Sequence, residues 1–83
     1  MMIYTIKFKK QTKKFLVSRS SKEQRQLLTA IYNLPNSKHI KKMEGYSNRY
    51  RLRVDNIRVI YEINNDVLVI LILKIGNRGD VCK

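Results

Sequence analysis

The sequence predicts an α+β fold: an antiparallel sheet of about four strands packed on two N-terminal helices, in the order β-α-α-β-β-β. Three observations predict it. Apolar and polar residues alternate with a period of two near the start of the chain and again over residues 49–63, the pattern of half-buried strands. Two stretches with helical spacing lie between them, the second preceded by serines suited to capping. Residues 67–75 are apolar at nearly every position, as in a strand covered on both faces. At 83 residues the chain is predicted to form a single domain, 1–83, around one modest core.

The first strand is predicted over residues 2–8, where Met2, Tyr4, Ile6 and Phe8 alternate with Ile3, Thr5 and Lys7. Residues 9–17 read as a short basic helix with Phe15 and Leu16 as its apolar contacts. Ser20 and Ser21 then offer a cap, with Glu23 and Gln24 each three residues on, as in a capping box. The second helix is expected to reach Leu34, presenting Leu27, Ile31 and Leu34 on one face before Pro35 stops it. Residues 36–48 are expected to be a connecting loop.

Residues 49–62 predict a β-hairpin with arginines on one face. Asp55-Asn56 suits a two-residue turn, because both residue types tolerate positive φ. That loop length sets Val54 against Ile57, Arg53 against Arg58, Leu52 against Val59 and Arg49 against Glu62, with Tyr50 and Tyr61 facing the core. A turn at Asn64-Asn65-Asp66 then leads into the apolar strand. A three-residue turn there puts Leu68, Ile70, Ile72 and Lys74 on the Arg58 face. The tail from Gly76 delivers Arg78 towards the same face.

Charge separates the possible functions. The chain carries 18 Lys/Arg and 6 Asp/Glu, a net charge of +12. Residues 1–42 hold eleven basic residues against Glu23 alone. This is the electrostatic footprint of a protein that binds nucleic acid or an acidic partner. The single cysteine, Cys82, excludes an internal disulfide and fits a reducing compartment. No signal-peptide pattern opens the chain, and the run at 67–73 is too short to span a bilayer. A soluble, cytoplasmic protein without membrane partners is expected.

Arg53 and Arg58 opposed across the hairpin, with Arg51 beside them, mark the candidate site. Like charges directly opposed cost up to about 1 kcal/mol, whereas Arg49 faces Glu62. Guanidinium groups bind phosphate bidentately and stay charged at every relevant pH. There is no phosphate-binding glycine loop, no His/Cys cluster with metal-ligand spacing and no His-paired nucleophile, so no metal and no small-molecule cofactor is expected. RNA cleavage needs neither. The 2′-hydroxyl attacks its own phosphodiester, and clustered cations stabilise the dianionic phosphorane. Lys9, Lys10, Lys13 and Lys14 are expected to dock on RNA rather than form a merely solvated helix face, and Tyr46 is free to stack on a base. His39 reads as an ordinary exposed histidine.

The strings Lys41-Lys42-Met43-Glu44-Gly45-Tyr46, Tyr50-Arg51-Leu52-Arg53-Val54, Arg58-Val59-Ile60-Tyr61-Glu62-Ile63 and Leu73-Lys74-Ile75-Gly76-Asn77-Arg78-Gly79-Asp80-Val81 together resemble the RelE family of bacterial and archaeal toxins. The resemblance runs over essentially the whole chain. It implies an mRNA interferase that enters the ribosomal A site and cuts the codon there, held in check by a cognate antitoxin protein, and it makes ribosomal RNA the expected docking target of Lys9, Lys10, Lys13 and Lys14. It implies that Arg51 and Arg53 match the basic pair of the family's second strand and that Arg58 matches the arginine opening its third. Arg78 matches an arginine linked to leaving-group protonation or phosphate stabilisation. Lys41 and Lys42 fall in the matching basic stretch before the hairpin. Cys82 stands where relatives commonly carry a tyrosine that orients the RNA, and Asn77 where many carry histidine or lysine; both departures imply weakened activity. A thiol near arginines can still take a proton, so Cys82 joins the candidate catalytic residues. Two other readings stay open: a ParE-like poison of DNA gyrase, a branch that generally lacks the arginine constellation, and a non-catalytic relative that binds RNA or antitoxin.

Overall fold

The computed structural model describes residues 3–77. The element order is β1 (Thr5–Phe8), α1 (Lys10–Val17), α2 (Ser21–Tyr32), β2 (Ile40–Lys42), β3 (Arg49–Val54), β4 (Ile57–Asn64) and β5 (Val69–Asn77). The strands form one mixed sheet in the order β1-β5-β4-β3-β2, and both helices pack on one of its faces. The predicted α+β class is the observed one, with two differences inside the sheet.

First, a short strand, β2, lies where residues 36–48 were expected to form only a loop. Ile40 pairs with Leu52 and packs against the core, so a single apolar residue between charged neighbours is enough to anchor it. Three residues cannot show a period, which hid this strand in the sequence. Second, β1 joins the edge of the sheet in parallel with β5. Its backbone bonds run from Thr5 N–H to Leu68 O (2.8 Å) and from Lys9 N–H to Ile72 O (3.1 Å). The helices carry the chain back across the sheet, allowing a parallel return that strand patterning alone does not specify.

The helices form as the sequence predicts, within a residue or two. Lys9 is the N-cap of α1 rather than its first residue, and no side chain caps that end. Ser20 caps α2, its Oγ accepting from the Glu23 amide at 3.2 Å. The Glu23 carboxylate in turn accepts from the Ser20 hydroxyl. Tyr32 ends the helix, and Leu34, buried just beyond it, still contributes to the core.

The hairpin has the predicted register in full, from Val54↔Ile57 through Arg53↔Arg58 and Leu52↔Val59 to Arg49↔Glu62. Asp55 takes the positive φ of 53° that the tight turn requires. Leu52, Val59 and Tyr61 are buried against Leu16, Leu27, Ile31 and Leu34 of the helical layer. Tyr50 stacks on Tyr61 with ring centroids 5.6 Å apart, as the core-facing register requires. Burial, and after it the neighbouring Tyr50, pushes the Tyr61 phenol well above its ordinary pKa.

The turn into the last strand corrects one expectation. Asn64 pairs with Val69, so four residues make the turn, with Leu68 at a φ of 53°. The Asn64 side chain accepts from the amides of Asp66 and Val67. Ile70 and Ile72 therefore join the helix-covered face and are fully buried there, not on the Arg58 face. Leu73 is then an extra residue: Ile60 pairs with Lys74 and Tyr61 with Ile72. This β-bulge reverses the alternation and returns Lys74 to the arginine face while Ile75 enters the core.

Candidate nucleic-acid interface

The sheet face away from the helices is organised by strand register into three rows. Arg53, Arg58 and Gly76 form one. Lys41, Arg51, Ile60 and Lys74 form the next, across four strands. Arg49, Glu62, Leu71 and Lys7 form the third. Among the described residues these three rows hold seven cations and one carboxylate. That carboxylate is committed locally, since Glu62 accepts from Arg49 Nε at 3.1 Å and from Arg49 Nη2 at 2.6 Å. Hydrogen bonding to Glu62 holds the Arg49 guanidinium above its ordinary pKa, so it stays charged.

Arg53 and Arg58 approach closely. The two-residue turn and the Arg53 amide, which donates outward to His39 O at 3.1 Å, make this a non-hydrogen-bonded pair. Side chains stand closest in such pairs, with Cα atoms about 4.5 Å apart. Arg53 is exposed, whereas Arg51 and Arg58 are half-buried and the Arg58 Nε is removed from solvent. Gly76 presents no side chain next to Arg58. Ile60, only 5% exposed, belongs to this face and not to the helix-side core. The aliphatic stems of Arg51 and Lys74 flank it in its row, which places two charged heads around an apolar centre.

The structure brings together some of the residues singled out from the sequence and separates others. Arg51, Arg53, Arg58 and Lys41 share the open face. Lys42 pairs with Tyr50 and so falls on the alternate register, although both lysines border a small cleft with Met43, Glu44 and Arg51. Tyr46 is 45% exposed, and the Arg49 guanidinium lies over one face of its ring, 4.1 Å from the centroid. Lys9, Lys10, Lys13 and Lys14 are exposed on and before α1, in the layer that packs on the other side of the sheet. His39 is exposed, and its carbonyl accepts from the Arg53 amide of β3. Arg78 and Cys82 lie outside the described residues. Lys7 and Lys74 were missed as site residues. Lys7 was legible from the alternation of the first strand, but placing it beside Leu71 needs the parallel pairing. Lys74 was expected on the Arg58 face and lies there, but by way of a four-residue turn and the bulge rather than a three-residue turn. No group of His, Cys, Asp or Glu able to hold a metal occurs among the described residues.

Comparison with known proteins agrees with this architecture. A family model described as the ParE toxin of type II toxin–antitoxin systems matches residues 3–81. The chain belongs to this toxin family. Within the wider RelE/ParE superfamily, the toxin is similar to a chain of the archaeal RelE–RelB complex from Pyrococcus horikoshii. The two are 35% identical, with 94% of this chain and 98% of the other covered and a TM-score of 0.79. A chain of the RelB–RelE antitoxin–toxin complex from Methanococcus jannaschii is 30% identical, with 90% and 93% covered and a TM-score of 0.72. A double mutant of the E. coli toxin RelE in the free state, at 19% identity, 96% and 88% coverage and a TM-score of 0.75, shares the fold. No match is found among curated proteins. No helix among the described residues of the toxin is long and apolar enough to cross a membrane.

Proposed function

We propose that the toxin is a ribosome-dependent endoribonuclease that cleaves mRNA in the A site by 2′-hydroxyl attack, acts in the cytoplasm, and is neutralised by a cognate antitoxin. The observation that carries the reading is the open sheet face, where Arg51, Arg53, Arg58, Lys41 and Lys74 converge and Glu62, the carboxylate in their strand rows among the described residues, is tied to Arg49. A face shaped for stability alone would alternate charge signs across strands. The antitoxin partner is supported by the relatives from P. horikoshii and M. jannaschii, whose structures are toxin–antitoxin complexes.

In the proposed reaction the 2′-oxygen forms a bond to the adjacent phosphorus as the bond to the 5′-oxygen breaks. The 2′-hydroxyl loses its proton and the departing 5′-oxygen gains one. The products are a 2′,3′-cyclic phosphate and a 5′-hydroxyl. Arg51, Arg53 and Arg58 are assigned to the developing dianionic phosphorane, where fixed donors act most strongly. Arg78 is assigned to the leaving oxygen or the phosphate. Lys41 and Lys42 are assigned to the flanking phosphates, and Lys9, Lys10, Lys13 and Lys14 to ribosomal RNA. Arginine is a poor general base, so Cys82 is the proposed proton acceptor on this chain.

Purified toxin in a bacterial cell-free translation reaction, with mRNA 5′ ends mapped by primer extension, tests the reading. Cuts are expected on translated message and none on naked mRNA. Single alanine variants at Arg51, Arg53 or Arg58 are expected to lose about 10²- to 10³-fold in cleavage rate. Silence of the wild type, with activity recovered by Cys82→Tyr, would mark a catalytically weakened relative. Silence in both proteins would favour the second reading. That reading, a gyrase poison, draws on the ParE identity of the matching family model, and inhibition of DNA supercoiling by the toxin would establish it.

A further inference from the structure

Strand β1 covers only part of β5. Its pairing ends at Phe8↔Ile72, and its last bond runs from the Lys9 amide to Ile72 O. From Leu73 onward α1 replaces it alongside β5, and Gln11 Nε2 donates to the carbonyl of Leu73, the bulge residue, at 3.2 Å. The exchange of a strand for a helix leaves a groove of about 520 Å³ lined by Gln11, Lys14 and Phe15 of α1 and by β5 from Lys74 to Asn77. Two lysines from different elements stand on it, Phe15 supplies an aromatic wall, and no carboxylate among the described residues lines it. The Arg19 guanidinium lies 4.7 Å from the centre of the Phe15 ring and adds positive charge beside it.

Lys74 belongs to two surfaces at once. It ends the row Lys41, Arg51, Ile60, Lys74 on the open face, and it lines this groove. The positive surface therefore turns the edge of the sheet without a break and meets α1 at Lys14. We propose that the groove between α1 and the C-terminal half of β5 is a subsite for a flanking nucleotide of the RNA strand held on the arginine face. Lys14 and Lys74 take its phosphates and Phe15 takes the base or ribose. This assigns Lys14 to the cleaved strand rather than, with the other α1 lysines, to ribosomal RNA. The inference rests on the proposed RNA substrate. Charge favours RNA: the groove continues a surface rich in cations, and an aromatic side chain beside a phosphate-binding track is how single strands are held without sequence readout.

The test uses full-length toxin and a fluorescent 2′-O-methyl hexaribonucleotide, which cannot be cleaved, carrying 5-iodouridine at each position in turn. Affinity is measured against salt for wild type, K14A, K74A, F15L, K22A and the R51A/R53A double variant. Lys22, on α2, does not line the groove and controls for loss of charge alone. K14A and K74A are each expected to lower the slope of log K against log salt by about 0.7. F15L is expected to weaken binding about fivefold, and the photo-crosslink to map to residues 11–15. If R51A/R53A abolishes binding while K14A and K74A behave as K22A, the groove is overturned and the arginine face stands. If every variant binds as wild type does, both fall. If K14A and K74A lose affinity for poly-glutamate but not for the oligonucleotide, the groove serves an acidic protein and the assignment to RNA is overturned.

Discussion

At the scale of single residues, the arginine face trades stability for charge. Arg53 and Arg58 sit in a non-hydrogen-bonded pair, the arrangement in which like charges repel most. Replacing Arg53 with glutamate would set a carboxylate directly opposite Arg58, the cross-strand arrangement of Arg49 and Glu62. Arg53→Glu is expected to stabilise the fold by about 0.2–1 kcal/mol, a rise of up to a few degrees in Tm by calorimetry, and to abolish mRNA cleavage. A variant both less stable and still active would contradict the assignment. Tyr61 gives a second prediction. Its phenol is neutral in the fold and its pKa is raised by burial, so the folded state holds its proton where the unfolded chain has released it. Its contribution is fully present below the ordinary tyrosine pKa of about 10, and above that it falls by about 1.4 kcal/mol per pH unit until the raised folded pKa is reached. Tyr61→Phe is expected to flatten that alkaline decline in urea-unfolding midpoints measured between about pH 9 and 11.

At the scale of elements, local chemistry set some boundaries and the sheet set others. The Ser20 cap and its reciprocal contacts with Glu23 start α2 where the serine–glutamate spacing predicts. Ser20→Ala is expected to cost about 1 kcal/mol in denaturant unfolding without changing RNA affinity. The β3–β4 hairpin was legible to the residue, because a two-residue turn permits only one register and period-two alternation orients it. The β4–β5 turn was not. Asn64-Asn65-Asp66 reads as turn chemistry, but a fourth residue, Leu68, adopts positive φ despite its side chain. A one-residue change in loop length inverts every side chain beyond it, and the bulge at Leu73 inverts them back. The two irregularities place Lys74 among the arginines and Ile70 and Ile72 in the core.

At the scale of the whole molecule, the cations divide into a sheet face and a helix layer that meet at Lys14 and Lys74. A surface that neutralises several phosphates must lose affinity steeply with salt. With Lys7, Lys41, Arg51, Arg53, Arg58 and Lys74 engaged, the slope of log K against log salt for single-stranded RNA is expected near −4 by titration, at about 0.7 per contact. A slope near −1 would mean that most of these cations do not touch phosphate. By itself the sequence determined the α+β class, the two helices, the hairpin register and the opposition of Arg53 to Arg58. Each follows from periodicity, capping or turn length, which act between residues near in the chain. Packing of distant segments settled that β1 runs parallel at the edge, that Ile40 anchors a fifth strand, that Tyr46 lies beneath Arg49, that Lys7 joins the arginine face, and that Lys74 reaches it through a bulge. Those outcomes depend on contacts between distant segments, where many pairings share one local pattern and burial of the common core selects among them.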